Sequence, residues 1–303
     1  MNMLNLPKKV YFKNGCANVA LRELSEVYHM KRALLVSNPR LYRNGIVSSI
    51  GRQLRKQGIR TAEFFSIGTE PSFSDLRSGL PKLSEFEPDV IVGIGGGGAM
   101  SAAKALWLLY ENPELDLAAA AKAPARIRTG VKAKQVLVAT SFGSGAQNSP
   151  FCVLKNDFGD IYVINSFALL PEISVTDARF TESLSPAQIK ACGLVTLSQS
   201  IRAFAGDGCN EYTQGLLRET VRAVLCNLKA AEEGCPVARE KLHNAAALAG
   251  AAYGNAMATI DFAAPFYPFT TEKAMQRDRL EALSHDLNLS GIQTLWEACE
   301  ALF

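Results

Sequence analysis

The chain has 303 residues and a mass of 32.7 kDa, enough for two domains or one large one. Apolar residues make up 48% and charged residues 20%, which excludes a disordered chain, a coiled coil and a collagen-like repeat. Lys and Arg number 32 against 29 Asp and Glu, and the resulting +3 is too balanced for a nucleic-acid footprint. None of the 7 cysteines lies in a C-x-x-C pair, so neither a zinc ribbon nor a thioredoxin-type motif is present. Met1 to Val10 has no apolar run of signal length, and the expectation is a cytoplasmic protein with reduced thiols. The long apolar stretch Ala245 to Phe269 is broken by Gly250, Gly254, Asn255, Asp261 and Pro265. It reads as a buried helix, so neither a membrane nor a nucleic-acid partner is expected.

Along the first half, short apolar runs alternate with helical patterns. Arg32 to Ser37 predicts a buried strand and Tyr42 to Gln57 a helix, with Ile46, Val47, Ile50 and Leu54 at helical spacing. Thr61 to Ile67 predicts a strand, Ser74 to Phe86 a helix, and Asp89 to Ile94 a strand bounded by Pro88 and Gly95. A helix over Ala99 to Tyr110 and a strand over Gln135 to Thr140 follow. This βαβα rhythm, with strands apolar on both faces, implies a parallel sheet covered by helices. Phe151 to Leu154 and Ile161 to Ile164 flank Asn156-Asp157-Phe158-Gly159-Asp160 and predict a hairpin before one more strand, Ile173 to Thr176. Beyond Ser185 the pattern is helical throughout: Ala187 to Phe204, Glu211 to Glu233, Pro236 to Met257, Glu272 to Asp286 and Ile292 to Ala301. The division expected is an α/β domain over 1–180 and an all-α domain over 181–303.

Two loops at strand ends carry chemistry. Gly95-Gly96-Gly97-Gly98 sits between a strand and a helix, where bare backbone N–H groups and the helix dipole suit a phosphate. A tight turn packing the helix on the strand is the alternative, but four glycines exceed what such a turn needs. The pattern is neither a Walker A loop nor the first-strand G-x-G-x-x-G. Thr140-Ser141-Phe142-Gly143-Ser144-Gly145 also follows a strand, and such loops converge on the ligand crevice of an open α/β sheet. Hydroxyl-rich turn material is the alternative there.

Several ordered segments together resemble the iron-dependent (group III) alcohol dehydrogenases, most of all the alcohol dehydrogenase half of bifunctional aldehyde/alcohol dehydrogenases. Pro88 to Val92 leading into Gly95-Gly96-Gly97-Gly98-Ala99-Met100-Ser101-Ala102-Ala103-Lys104 resembles the family's GGGSxxDxAK. Trp107, Tyr110, Pro113-Glu114, Gly130 to Lys134, Ser149 to Phe151 and Leu170 to Ala178 continue the match. So do Val237 to Glu240, His243 and the stretch from Ala249 to Ala256. The resemblance implies an N-terminal α/β dinucleotide domain and a C-terminal helical domain, with NAD(P) and a divalent iron or zinc between them. It implies that Gly95, Gly96, Gly97, Gly98, Ser101, Asn38, Thr140, Ser141 and Ser144 face the cofactor.

The same resemblance marks what this chain lacks. The family's first two metal ligands, an Asp and a His four residues on, fall at Val195 and Gln199, and a following Glu falls at Arg202. A later histidine pair falls at Phe262 and Phe266, and the short PHG motif has no counterpart. Val and Phe cannot ligate a cation, and Gln is a poor neutral ligand. The chain ends about 80 to 120 residues short of a typical family member. Shortening is expected to leave Phe262, Phe266, Tyr267 and Phe269 partly exposed or collapsed inward. Ser101 stands for the family Asp of the glycine motif, Asn38 for the ribose-binding Asp, and Phe142 adds bulk expected at the nicotinamide end. His243 reads as a packed residue, His285 as surface and Cys192 as a buried thiol.

The resulting expectation is a degenerate, non-catalytic relative, with weak NAD or NADP binding and no iron or zinc. It would act as a homo-oligomer or with a dehydrogenase paralogue. The alternative is an active NAD(P)-dependent alcohol/aldehyde oxidoreductase without the usual metal, with Tyr253 or Tyr267 polarising a carbonyl. Core patterning is intact across both halves, which argues against simple decay.

Overall fold

The protein is described from a computed structural model, over residues 3–123, 127–256 and 274–302. The chain divides into two compact units. One comprises Leu6–Thr140 and Ala146–Phe180; the other comprises Met1–Asn5, Ser141–Gly145 and Thr181–Phe303.

The first unit is an open parallel sheet with helices on both faces. Its elements run β1 (Lys9–Phe12), α1 (Cys16–Glu26), β2 (Arg32–Val36), α2 (Pro39–Arg43), α3 (Ile46–Lys56), β3 (Arg60–Phe64), α4 (Phe73–Phe86), β4 (Val90–Gly95) and α5 (Gly97–Glu111). Then come α6 (Leu117–Lys122), β5 (Lys134–Ala139), β6 (Phe151–Lys155), β7 (Ile161–Asn165) and β8 (Ile173–Thr176). The six-stranded order is β1-β8-β5-β4-β2-β3, and every pairing is parallel. The apolar runs of β2, β4 and β5 therefore feed two cores. On one face, Leu35, Val92 and Val138 meet Leu21 and Leu24 of α1 and Ile50 and Leu54 of α3. On the other, Leu34, Ile91 and Leu137 meet Leu76 of α4 and Leu106 and Trp107 of α5. β6 and β7 form the separate antiparallel hairpin expected from the sequence.

The structure departs from the sequence reading at the N-terminal end. β1 and α1 were not anticipated. β1 is an edge strand with alternating half-buried and exposed residues, so it lacks the continuous apolar run that marks the central strands. The single helix expected over 42–57 is two helices. Asn38 caps α2 with Pro39 at its first position, and Gly45, at φ +78°, turns the chain into α3.

The second unit contains α7 (Pro186–Ala205), α8 (Glu211–Glu232), α9 (Pro236–Asn255), α10 (Ala274–Asp286) and α11 (Ile292–Glu300). Local chemistry sets the helix starts. Ser185 and Gln188 form a capping box on α7, and Asn210 caps α8 through the N–H groups of Tyr212 and Thr213. The Asn255 side chain pairs reciprocally with the backbone of Asn5, accepting from its N–H at 2.6 Å and donating to its carbonyl at 2.7 Å. Among the described residues, no helix is long and apolar enough to cross a membrane.

Candidate functional site

Chain topology selects one edge of the sheet. β2 continues to β3 on one side, whereas β4 lies on the other side of β2 and leads on to β5. The strand order thus reverses between β2 and β4, and ligands of open α/β sheets bind at the carboxyl ends of the strands at such a point. Ser37-Asn38 leaves β2 there and Gly95 to Gly98 leaves β4. The two exits are tied by the buried Ser37 hydroxyl, which donates to the Ile94 carbonyl at 2.8 Å. Thr140, at the end of neighbouring β5, donates its N–H to the Gly95 carbonyl at 3.0 Å.

The glycines of this edge answer two demands. Gly95 has φ +156°, and a Cβ there would sit 2.5 Å from Ala99 Cβ. A Cβ on Gly98 would sit 2.0 Å from the Thr69 carbonyl oxygen. At Gly95 glycine is required by the close approach of the Ala99 side chain, and at Gly98 by the approach of the Thr69 backbone. Gly96 is the N-cap of α5, carries no capping side chain, and together with Gly97 and Gly98 is only partly buried. The first N–H groups of α5 thus begin without a side-chain acceptor, the arrangement that receives an anion.

Other expected cofactor residues have structural engagements. Asn38 Oδ1 accepts from Leu41 N–H at 3.0 Å as the cap of α2. Ser101 is buried one turn into α5, and its hydroxyl accepts from Val153 N–H at 3.1 Å, which fastens strand β6. Ser141 and Ser144 are partly buried and belong by packing to the helical unit. In that unit Thr196 of α7 donates to the Gly143 carbonyl at 3.4 Å. A Cβ on Gly250 of α9 would sit 2.0 Å from the Gly145 carbonyl oxygen. Phe142, expected as bulk at the nicotinamide end, is packed inside the helical unit. Its ring is 2% exposed and lies 6.4 Å from the His243 ring, as burial of so large an apolar surface favours. His243 is fully buried and His285 exposed, while Cys192 is half-buried and its thiol is pushed up to about 11 by burial.

Lys104 belongs to the glycine motif, but the sequence pattern alone assigns its side chain no role. Its side chain is fully buried in α5, and its ammonium donates to the carbonyls of Ala146, Ser149 and Phe151 at 2.9, 2.5 and 2.9 Å. Three donors meet three acceptors. Burial pulls its pKa from 10.5 down to about 7, opposed by the nearby Cys152 thiol. A lysine inside an otherwise apolar helical run was the available signal. Asp177, directly after β8, is the matching buried anion. Burial works to raise its carboxyl, but Arg179 and the N–H groups of Gly15 and Ala17 outweigh that and hold it below its ordinary 3.8. The carboxylate fixes the start of α1 to the end of β8.

On α7, Val195, Gln199 and Arg202 follow at spacings of four and three and share one half-buried helix face. Gln199 Oε1 is buried and accepts no hydrogen bond. Among the described residues, no three His, Cys, Asp or Glu side chains gather as a metal site. Phe262, Phe266, Tyr267 and Phe269 lie outside the described residues. Tyr253 is buried within α9, 2% exposed.

Comparison with known proteins agrees with this architecture. A family model for iron-containing alcohol dehydrogenase matches residues 7–178. The bifunctional aldehyde-alcohol dehydrogenase AdhE of Escherichia coli (strain K12) is 35% identical over 269 residues, covering 84% of this chain and 30% of that protein. The chain therefore spans less than a third of that relative's length. The iron-containing alcohol dehydrogenase of Thermococcus thioreducens superposes with a TM-score of 0.86 at 22% identity, covering 100% of this chain and 85% of that one. The sulfoacetaldehyde reductase of Bifidobacterium kashiwanohense, solved with NAD+, gives 0.85 at 18% identity over the same shares of the two chains. With its sequence matched over the sheet unit and its fold shared throughout, the chain belongs to the iron-containing alcohol dehydrogenase family.

Proposed function

We propose that this chain is a non-catalytic member of its family. In this reading it binds NAD or NADP weakly through backbone N–H groups and acts through association, with copies of itself or with an active dehydrogenase paralogue. The observation that carries the reading is the α7 face. A divalent iron or zinc, when bound in a dehydrogenase of this family, polarises the alcohol oxygen for hydride transfer. The residues at the matching positions here do not fit such an ion. Val195 has no donor atom, Gln199 offers one neutral amide oxygen, and Arg202 adds a fixed positive charge three residues on. A hydride transfer from an alcohol then has no electrophile to hold the developing oxyanion.

Nucleotide binding has better support. The uncapped start of α5 stands at the switch point of the sheet, and a solved protein of the same fold holds NAD+. With Asn38 in place of a ribose-binding carboxylate and engaged as a cap, affinity rests on pyrophosphate contacts to backbone. The test is titration of NAD+ and NADP+ into the full chain supplied with ferrous iron or zinc, followed by assay with primary alcohols and aldehydes. Weak binding that is lost in Gly97→Leu, with no turnover, is expected. Turnover above the uncatalysed rate, or nucleotide affinity unchanged in Gly97→Leu, overturns the reading.

A further inference from the structure

Residues 27–62 hold eight Lys or Arg and no Asp or Glu, although the charge of the whole chain is nearly balanced. This run covers β2, α2, α3 and the start of β3. Within it, α2 stands directly after the carboxyl end of β2 and beside the glycine loop. Its buried Leu41 reaches Gly95, where an added Cβ would sit 3.4 Å from Leu41 Cδ1. Tyr42 stacks on Phe65, which follows β3, with ring centroids 4.1 Å apart. Arg40 and Arg43 stand three residues apart, share the remaining face of α2 and are both exposed.

Charge at this place decides between two dinucleotides. In a doubly wound fold the adenosine ribose lies past the end of the strand next to the glycine loop. A carboxylate there holds a free 2′-hydroxyl, whereas a nearby arginine accommodates a 2′-phosphate. Asn38 occupies that end of β2 without charge, and its Oδ1 is engaged by the Leu41 N–H. The loop that packs on Gly98 through Thr69 carries Glu70 and Asp75. Glu70 pairs with Lys155, and Asp75 belongs to the capping box of α4. A 2′-phosphate brings a charge of about −2. Guanidinium groups bind such an anion through paired, charge-assisted hydrogen bonds, and the acid-free run around them keeps the local potential positive.

We propose that the nucleotide site of this chain selects NADP over NAD, with Arg40 and Arg43 receiving the 2′-phosphate. This rests on the nucleotide binding proposed above and names its cofactor. The experiment is calorimetric titration of the full chain with NADP+ and NAD+, and with adenosine 2′,5′-bisphosphate and 5′-AMP, at low and high salt. NADP+ should bind at least about tenfold tighter than NAD+, the effect of one charge-assisted contact. The bisphosphate should exceed 5′-AMP in the same way, and both advantages should shrink as salt rises. The double variant Arg40→Gln/Arg43→Gln changes exposed side chains only and should bring NADP+ down to the level of NAD+. Asn38→Asp keeps the cap of α2 and should weaken NADP+ more than NAD+. Equal affinity for NADP+ and NAD+, or a preference for NADP+ that survives the double variant, overturns the proposal and leaves nucleotide binding standing. Absence of binding by all four probes at about 5 mM overturns nucleotide binding and this proposal together.

Discussion

Replacing Lys104 by methionine keeps the length of the side chain and removes its three donors. The ammonium is fully buried and spans the carbonyls of Ala146, Ser149 and Phe151. It thereby fixes the segment that leads from the hydroxyl-rich loop into β6. Each buried carbonyl that loses its donor costs about 1–3 kcal/mol. Methionine also spares the chain a desolvated charge, which offsets part of that loss, so the net destabilisation expected is about 2–3 kcal/mol. The deficit should also depend on pH. The folded value of about 7 lies below the unfolded 10.5, so between them the unfolded chain binds the extra proton. Wild-type stability therefore gains with rising pH over that window, by at most about 1.4 kcal/mol per unit. The methionine variant lacks this gain, and its deficit should widen from pH 7 to pH 9. Urea unfolding at both values, with hydrogen exchange over 146–151, measures the effect. Equal stability of the two proteins at both pH values, with unchanged exchange in that segment, refutes the role assigned to Lys104.

Three further outcomes follow from close contacts and charge. Gly98→Ala places a methyl 2.0 Å from the Thr69 carbonyl oxygen and should destabilise by at least about 2 kcal/mol in thermal or urea unfolding. Gly250→Ala meets the Gly145 carbonyl at the same distance and should cost a similar amount, about 2 kcal/mol, chiefly by loosening the 141–145 loop seen in hydrogen exchange. Asp177, held below 3.8, contributes stability that is present above that value and lost as pH falls through its lower folded value. Asp177→Asn should therefore be less stable at neutral pH and show a flatter acid limb below pH 3.8 in acid unfolding.

The sheet was legible because its central strands are unbroken apolar runs, and residues buried on both faces leave that mark. Val90 to Gly95, and Val136 to Ala139 within β5, are the clearest cases. β1 was not legible because an edge strand with one half-exposed face has no such signature. The glycine loop was found by its residue type, but the contact of Gly98 with Thr69 depends on a loop distant in sequence. The packing of Phe142 depends on such distant segments too. Its loop follows a strand in the chain, yet its packing partners Cys192, Thr196, His243 and Gly250 come from helices α7 and α9. Lys104 stood in view, but only the three-dimensional structure brings carbonyls of Ala146, Ser149 and Phe151 to its ammonium.

The central claim is the proposal that the α7 face holds no metal, with Val195 and Gln199 where the sequence resemblance puts the family's first two metal ligands. It is tested most directly by elemental analysis of the full chain purified from cells grown with added iron and zinc. Far less than one equivalent of either metal, unchanged after chelator treatment and dialysis, is the result this account predicts. Near-stoichiometric iron or zinc that chelation removes, with a loss of thermal stability on removal, would contradict it.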